Sequence, residues 1–177
     1  MEAFIESTAT TIINAPSENI DVTEWLFTLK DEEYQACSKA HIAGGSSMDS
    51  NGKRMSINVE QVADNLLIQH YIEEVSQRNH CRVNSDSDSI SALGKTKLKI
   101  TWELKIKPIT TDSCELTNHV IVALTDDFFE ALKKANITDL EPVRNEIHLN
   151  LKAHNEEETP LFAKDIEMKA LSGIWKK

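Results

Sequence analysis

The sequence has 177 residues, of which 40% are hydrophobic and 27% are charged, and its formal net charge at pH 7 is -10. This length fits one domain, residues 1–177, with a substantial core, and the composition excludes collagen-like and low-complexity chains. The negative charge, with no basic cluster interleaved with aromatic residues, argues against nucleic acid as a partner.

The first half of the chain predicts a strand, a short helix and two hairpins. Residues 3–13 are rich in Thr and Ile and end at Ala15-Pro16, which indicates an opening strand. The apolar spacing from Ile20 to Leu29 predicts one or two helical turns, which end at Asp31-Glu32-Glu33. Strands are expected at about 34–43, interrupted by Gly44-Gly45, and then at 54–62 and 66–75, with Asn51-Gly52 as a hairpin turn.

The second half predicts three further strands and a helical tail. Residues 80–90 form a polar strand, which indicates either a sheet edge or an acidic exposed face. The clearest strand, 97–107, alternates apolar residues with lysines, and residues 114–124 complete a seven-stranded sheet. A short helix is expected at 126–135 and a longer one from Thr138, which Thr159-Pro160 is expected to kink or interrupt.

The cysteines and the hydropathy pattern bear on the compartment. Cys37, Cys81 and Cys114 are odd in number, far apart and in no CxxC pair, so neither a disulfide framework nor a zinc site is encoded locally. The N-terminus has no basic segment followed by an apolar run, and no window approaches 18 apolar residues. We therefore expect a cytoplasmic protein with no membrane insertion.

The segment Ile12-Ile13-Asn14-Ala15-Pro16-Ser17-Glu18-Asn19-Ile20 resembles the I-x-A-P-x-E-x-V/I pattern that opens the START-like (SRPBCC) helix-grip superfamily. That superfamily includes polyketide cyclases, plant pathogenesis-related allergens and lipid-transfer domains. Its order of one strand, a helix, six strands and a C-terminal helix matches essentially the whole chain. The resemblance implies an α+β fold, with a seven-stranded antiparallel sheet curled around C-terminal helices and an apolar cavity between them. It implies a scaffold and no particular reaction, so the subfamily stays open.

Strand alternation assigns an inner face to the sheet. Taking the apolar register of each strand as inward places these residues toward the tail: Ile57, Val59, Leu66, Ile68, His70, Ile72, Ile100, Trp102, Leu104, Asn118, Val120 and Val122. His70 and Asn118 interrupt apolar registers, and a buried polar side chain needs a partner. A filled core is the alternative for each residue, and the predicted ligand contacts are His70, Trp102, Asn118, Ile57, Val59, Ile68, Ile100 and Val120.

No metal site or cofactor is expected. His41, Glu60, His70 and His119 lie on four predicted strands, but alternation points Glu60 and His119 away from the face that carries His70. The run Glu156-Glu157-Glu158 is expected to be solvated surface. The sequence contains no P-loop, GxGxxG, GxSxG or HExxH pattern.

Three functions remain open at this point. The leading one is binding of a small apolar molecule, such as a lipid, a polyketide-like compound or an aromatic compound. The second is a cyclase-like or hydratase-like enzyme on the same scaffold, with His70 as general base. The third is a protein-interaction domain of the co-chaperone type, which predicts a filled cavity and an exposed apolar patch. The oligomeric state also stays open, with a homodimer among the options.

Overall fold

The computed structural model describes residues 3–176 and contains one antiparallel sheet of seven strands. The strands are β1 (Ile5–Ile13), β2 (His41–Met48), β3 (Arg54–Val62), β4 (Asn65–Gln77), β5 (His80–Ser91), β6 (Gly94–Pro108) and β7 (Cys114–Leu124). Their order across the sheet is β1-β7-β6-β5-β4-β3-β2, so β2 to β7 form a meander and β1 pairs with β7. The sheet is open, with β1 and β2 at its edges, and it confirms the predicted seven-stranded arrangement.

The helices are α1 (Val22–Thr28), α2 (Asp31–Ala36), α3 (Asp126–Lys134) and α4 (Glu141–Ser172), and a single turn of 3-10 helix spans Ser17–Asn19. Asp21 caps α1 by accepting a hydrogen bond from the Glu24 N–H at 3.0 Å. α4 crosses the inner face of the sheet, which we define as the face toward this helix. None of the described helices is both long and apolar enough to cross a bilayer.

The predicted start of the strand at about residue 34 was wrong, because the chain is helical up to Ala36 and β2 begins only at His41. The Glu33 carboxylate accepts a hydrogen bond from the Lys30 N–H at 2.9 Å, which closes the first turn of the helix. The acidic residues that had indicated a helix exit thus lie in a first turn, where the helix dipole favours negative charge. β2 consequently begins at His41, and Gly44-Gly45 lies inside it.

The predicted restart of the helix at Thr159-Pro160 was also wrong, since α4 runs through both residues without a break. The alternative, a kink at Pro160, stays a prediction. Pro160 removes one backbone donor, at a cost of about 3 kcal/mol in a helix interior. Its ring lies on the exposed side of α4, where water can bond the carbonyl that loses its partner. Burial of Phe162, Ile166 and Ala170 against the sheet offsets this cost.

The predicted inner face is confirmed for β6 and β7 and wrong for β3 and β4. Leu98, Ile100, Trp102 and Leu104 are buried on the inner face, as are the inward residues of β7. On β3 and β4 the opposite register faces inward, with the side chains of Ser56, Asn58, Glu60, Leu67, Gln69 and Tyr71. The residues predicted to face inward lie instead on the outer face: Ile57, Val59, Leu66, Ile68, His70 and Ile72.

Cross-strand pairing explains this inversion. Val59 lies opposite Ile68, and Met55 lies opposite Ile72, so these half-buried apolar residues cover one another on the outer face. On the inner face, polar groups bond to each other: the Ser56 hydroxyl donates to Asn58 Oδ1 at 2.9 Å. β5 continues the pattern, with Ser85, Ser87 and Ser89 fully or almost fully buried in the middle of the sheet. The inner face of the sheet is therefore partly polar on β3, β4 and β5.

Candidate functional site

A cavity of about 330 Å³ lies between the inner face of the sheet and α4. Its mouth lies among the β3–β4 turn, the β5–β6 turn and the first half of α4, where Asp64, Ala92 and Glu146 are exposed. The wall is largely apolar and includes Leu67, Leu98, Ile100, Trp102, Val120, Val122, Phe128, Leu132, Ile137, Val143, Ile147 and Leu151. Both the sheet and α4 therefore contribute residues to this wall.

The two halves of α4 differ in how they pack against the sheet. Residues 155–170 supply all the buried side chains of the helix, including Phe162 and Ile166, so this half is firmly anchored. In the first half, Val143, Ile147 and Leu151 are only partly buried and line the cavity. The first half of α4 thus spans the cavity as a roof, which the second half holds in place.

The predicted ligand contacts separate into two groups. Ile100, Trp102 and Val120 line the cavity, so their role as ligand contacts stays a prediction. Asn118 is fully buried on the inner face but is not part of the cavity wall. Ile57, Val59, Ile68 and His70 point away from the cavity, because the register of β3 and β4 is inverted; His70 is exposed on the outer face.

A cluster of ionisable side chains closes the deep end of the cavity, and we call it the His–Glu cluster: His41, Glu60, His154 and Glu158. His154 Nε2 lies 3.1 Å from Glu60 Oε2 and 3.3 Å from Glu158 Oε2. His41 Nε2 lies 3.2 Å from Glu158 Oε2 and 3.7 Å from Glu60 Oε2. Glu60, His154 and Glu158 also line the cavity, so the cluster faces whatever occupies it.

Hydrogen bonds from surrounding groups fix the orientation of the cluster. His41 Nδ1 donates to the Tyr34 carbonyl at 2.7 Å, and the two rings stack with centroids 3.9 Å apart. Gln69 Nε2 donates to Glu60 Oε1 at 2.7 Å, and Asn118 Nδ2 donates to Glu158 Oε1 at 3.0 Å. Each carboxylate is therefore held by one oxygen, while its other oxygen points at the imidazoles.

Opposite charges and burial act against each other within the cluster. Burial alone lowers the pKa of His154, but Glu158 and Glu60 outweigh it and raise this pKa to about 9. Burial alone raises the pKa of Glu60, yet the hydrogen bond from His154 and the charges of both histidines lower it overall. Burial, followed by the charge of Glu60, raises the pKa of Tyr34 and Tyr71 well above the ordinary value. His154 and Glu60 are thus a charged pair at neutral pH, beside two neutral phenols.

Asn118 links the cluster to the core of the protein. The indole Nε1–H of Trp102 donates to Asn118 Oδ1 at 2.8 Å, and Asn118 Nδ2 also donates to Thr159 Oγ1 at 3.0 Å. The polar atom of Trp102 is therefore already bonded within the protein, and its ring contributes only apolar surface to the cavity. Asn118 holds the sheet, the Trp102 ring and α4 in register.

Sequence reasoning missed His154 and Glu158, and it placed Glu158 on the surface, where only 6% of its area is in fact exposed. The sequence does contain a spacing pattern that indicates both residues. Leu151, His154, Glu158 and Phe162 follow one another at spacings of three and four, so the two polar residues interrupt the apolar stripe of a single helix. The predicted interruption at Pro160 obscured this continuity.

Comparison with known proteins supports the fold. A Thermus thermophilus protein of known structure superposes with a TM-score of 0.58 and 16% identity, covering 95% of this chain and 98% of that one. The Zhui aromatase/cyclase from Streptomyces sp. R1128 gives a TM-score of 0.59 and 11% identity, covering 97% and 96%. The di-domain aromatase/cyclase BexL gives a TM-score of 0.57 and 13% identity, and the match covers 92% of this chain and 50% of BexL. No protein-family model and no curated protein sequence matches the chain.

These structures establish the architecture of this chain and leave its activity open, because their sequence identities are low. The chain has the START-like helix-grip fold: an open antiparallel sheet, a long C-terminal helix across its inner face, and a cavity between the two. This agrees with the resemblance found at Ile12–Ile20.

Proposed function

We propose that this protein binds a small, mainly apolar molecule in the cavity between the sheet and α4. The observation that carries the proposal is the composition of the wall, which is apolar along β6, β7 and α4, carries Asn58 and Gln69 on β3 and β4, and ends at the His–Glu cluster. Small-molecule sites typically combine an apolar cleft with a few converging polar groups. The fitting ligand has an apolar body and one polar group, such as a hydroxyl or a carbonyl, which meets His154 or Glu60 at the deep end.

The size of the cavity favours a compact ligand. Small-molecule pockets span about 300–1,000 Å³, and the 330 Å³ found here is close to the lower limit. Such a volume suits a bicyclic or tricyclic aromatic compound better than a long acyl chain. Each 100 Å² of apolar ligand surface that leaves water contributes about 2.5 kcal/mol to binding, before the entropic cost of association. We therefore favour an aromatic or polyketide-like ligand over a membrane lipid.

The experiment compares two single substitutions in β7. Val120→Phe places a phenyl ring on the inner face, at a residue that lines the cavity, whereas Ile121→Phe places the same ring on the outer face one residue later. Binding of 2-naphthol, a compact aromatic alcohol, is measured by isothermal titration calorimetry. We expect wild type and Ile121→Phe to bind alike and Val120→Phe to lose at least tenfold in affinity. Equal affinity in all three proteins would contradict the proposal.

A second candidate function is proton-transfer catalysis on a bound polyketide-like substrate. It is favoured by the pairing of protonated His154 with the carboxylate of Glu60 on the cavity wall, since carboxyl and imidazole groups with separated pKa values can divide acid and base roles. The general base expected at His70 does not fit, because His70 is exposed on the opposite face of the sheet. Under this function, His154→Gln abolishes conversion of a linear poly-β-ketone thioester analogue, followed by mass spectrometry, while His70→Gln does not.

A protein-interaction domain of the co-chaperone type receives less support. That function predicts a filled space between sheet and helix, whereas a cavity of about 330 Å³ is present there.

A further inference from the structure

We propose that the His–Glu cluster binds a single divalent transition-metal ion, such as Zn²⁺, at the deep end of the cavity. The ligands are His41 Nε2, Glu60 Oε2 and His154 Nε2, with Glu158 Oε2 as a fourth donor. These residues come from β2, β3 and the middle of α4, so the fold brings them together from widely separated positions in the sequence.

The donor atoms are spaced much as they are around a bound metal ion. Two ligands held at about 2.0–2.2 Å from one ion lie no more than about 4.4 Å apart, and about 3.4 Å apart in a tetrahedral site. The four nitrogen–oxygen separations in the cluster are 3.1, 3.2, 3.3 and 3.7 Å. The donor atoms of His41, Glu60 and His154 all lie within 4.8 Å of one another. Only small side-chain movements are needed to close these atoms around an ion.

The surrounding hydrogen bonds orient the proposed ligands. Histidines that bind metals usually donate their other ring N–H to a carbonyl or carboxylate, which fixes the tautomer. His41 does this through Nδ1 and the Tyr34 carbonyl, so that Nε2 faces the cluster. The amides of Gln69 and Asn118 likewise bond the outer oxygens of Glu60 and Glu158, so the inner oxygens point toward the imidazoles. Glu60 Oε2 also accepts a longer hydrogen bond from the Tyr34 hydroxyl, at 3.3 Å, which an ion would replace. His41, Glu60 and Glu158 thus each have an orienting group of the kind found around metal centres.

The donor chemistry defines the class of ion. Two imidazoles and two carboxylates suit Zn²⁺ and the neighbouring divalent transition metals, whereas Ca²⁺ and Mg²⁺ prefer oxygen donors alone. Two carboxylates and two neutral imidazoles carry a charge of -2, which a divalent cation neutralises.

The location of the cluster gives the ion a route of entry and access to the contents of the cavity. Glu60, His154 and Glu158 line the cavity, so an ion bound there has one side open to its contents. A site of this kind can polarise a hydroxyl or carbonyl oxygen of a bound molecule. The inference goes beyond the proposed ligand binding and does not depend on it, because metal binding is measured in protein with no organic ligand.

The test starts with wild-type protein that has been treated with a chelator. Zn²⁺ is titrated in competition with a chromophoric chelator, and Co²⁺ is added separately, because its visible d–d bands report coordination number and donor type. We expect one ion per chain and Co²⁺ bands of a four- or five-coordinate site with nitrogen and oxygen donors. Failure of the wild-type protein to bind Zn²⁺ stoichiometrically would overturn the proposal and leave the cluster as a network of ion pairs.

Matched histidine variants locate the ion. His154→Gln removes a ligand, whereas His148→Gln changes an exposed histidine on the same helix. We expect at least a 100-fold loss of Zn²⁺ affinity for His154→Gln and none for His148→Gln, with circular dichroism verifying the fold of both. Equal affinity in the two variants would also refute the site. Gln69→Ala keeps every ligand and removes only an orienting amide, so a 10- to 100-fold loss is expected there. If His154→Gln fails to fold, the wild-type Co²⁺ spectrum and the Gln69→Ala titration still decide the question.

Discussion

Phe162 is the side chain that anchors α4 to the rest of the protein, and its truncation tests how the helix is gripped. It is fully buried and lies between two tryptophans. Its ring centroid is 5.1 Å from that of Trp25, in an edge-on arrangement, and 5.7 Å from that of Trp102. Trp25 belongs to α1 and Trp102 to β6, so Phe162 joins three elements that are far apart in the chain.

The expected cost of Phe162→Ala follows from these contacts. Removing a fully buried phenylalanine costs about 3–5 kcal/mol, through lost burial and the cavity left behind. Each aromatic pair adds about 0.5–1.5 kcal/mol beyond the buried area, and two pairs are lost here, which favours the upper part of that range. For a protein of this size the melting temperature then falls by about 6–20 °C.

Urea denaturation followed by circular dichroism measures the free energy of unfolding of Phe162→Ala against wild type. The matched control is Leu161→Ala, because Leu161 precedes Phe162 on α4 and is 37% exposed. We expect the control to cost less than about 1 kcal/mol. A loss below about 1 kcal/mol for Phe162→Ala, or equal losses for the two variants, would refute the packing described between α4, α1 and β6.

Three further predictions concern β2, the outer face and the cysteines. A Cβ on Gly44 would meet the Tyr34 side chain at 2.9 Å, whereas a Cβ on Gly45 would meet nothing within 4 Å. Gly44→Ala should therefore lower the free energy of unfolding by about 1–3 kcal/mol and Gly45→Ala should not. Equal melting temperatures for the two variants would contradict this. Burial alone raises the pKa of Glu103, but hydrogen bonds from Lys105 and His80 lower it to about 2. The ionised Glu103 side chain therefore stabilises the folded protein fully above about pH 4.5, and this contribution is lost as the pH falls toward 2. Glu103→Gln should therefore flatten the fall in urea midpoint between pH 5 and pH 2, and an unchanged slope would refute the assignment. Burial raises the thiol pKa values of Cys37, Cys81 and Cys114 to about 11 or 12. Iodoacetamide at pH 8 should therefore label all three cysteines only in urea. Rapid labelling of the folded protein would contradict their burial.

The parts of the fold predicted correctly are those where local patterns and tertiary packing agree. β6 alternates large apolar residues with lysines, and its apolar side is the inner face. β3 and β4 also alternate, but their apolar sides cover one another on the outer face, while their inner sides carry polar groups of the cavity. Alternation shows that a strand has two different faces; it does not show which face the tail will cover.

The candidate site was harder to predict than the fold, because its members become neighbours only in three dimensions. His41 and Glu60 were two of four strand residues weighed as a metal site, which was not expected, and their strands do place these two side by side. The partners that complete the cluster, His154 and Glu158, lie about a hundred residues further along the chain, on a helix that a proline was expected to interrupt. A proline can be accommodated on the exposed side of a well-packed helix, and local sequence does not reveal that packing.

We propose that the space between the sheet and α4 receives a small apolar molecule. The most direct measurement is a two-dimensional ¹H–¹⁵N NMR titration of the wild-type protein with 2-naphthol. We predict saturable shifts confined to residues around the cavity, with the Trp102 indole N–H among the largest and the amide of His70 on the outer face unchanged. Shifts that cluster on the outer face, or no saturable shifts, would contradict the account.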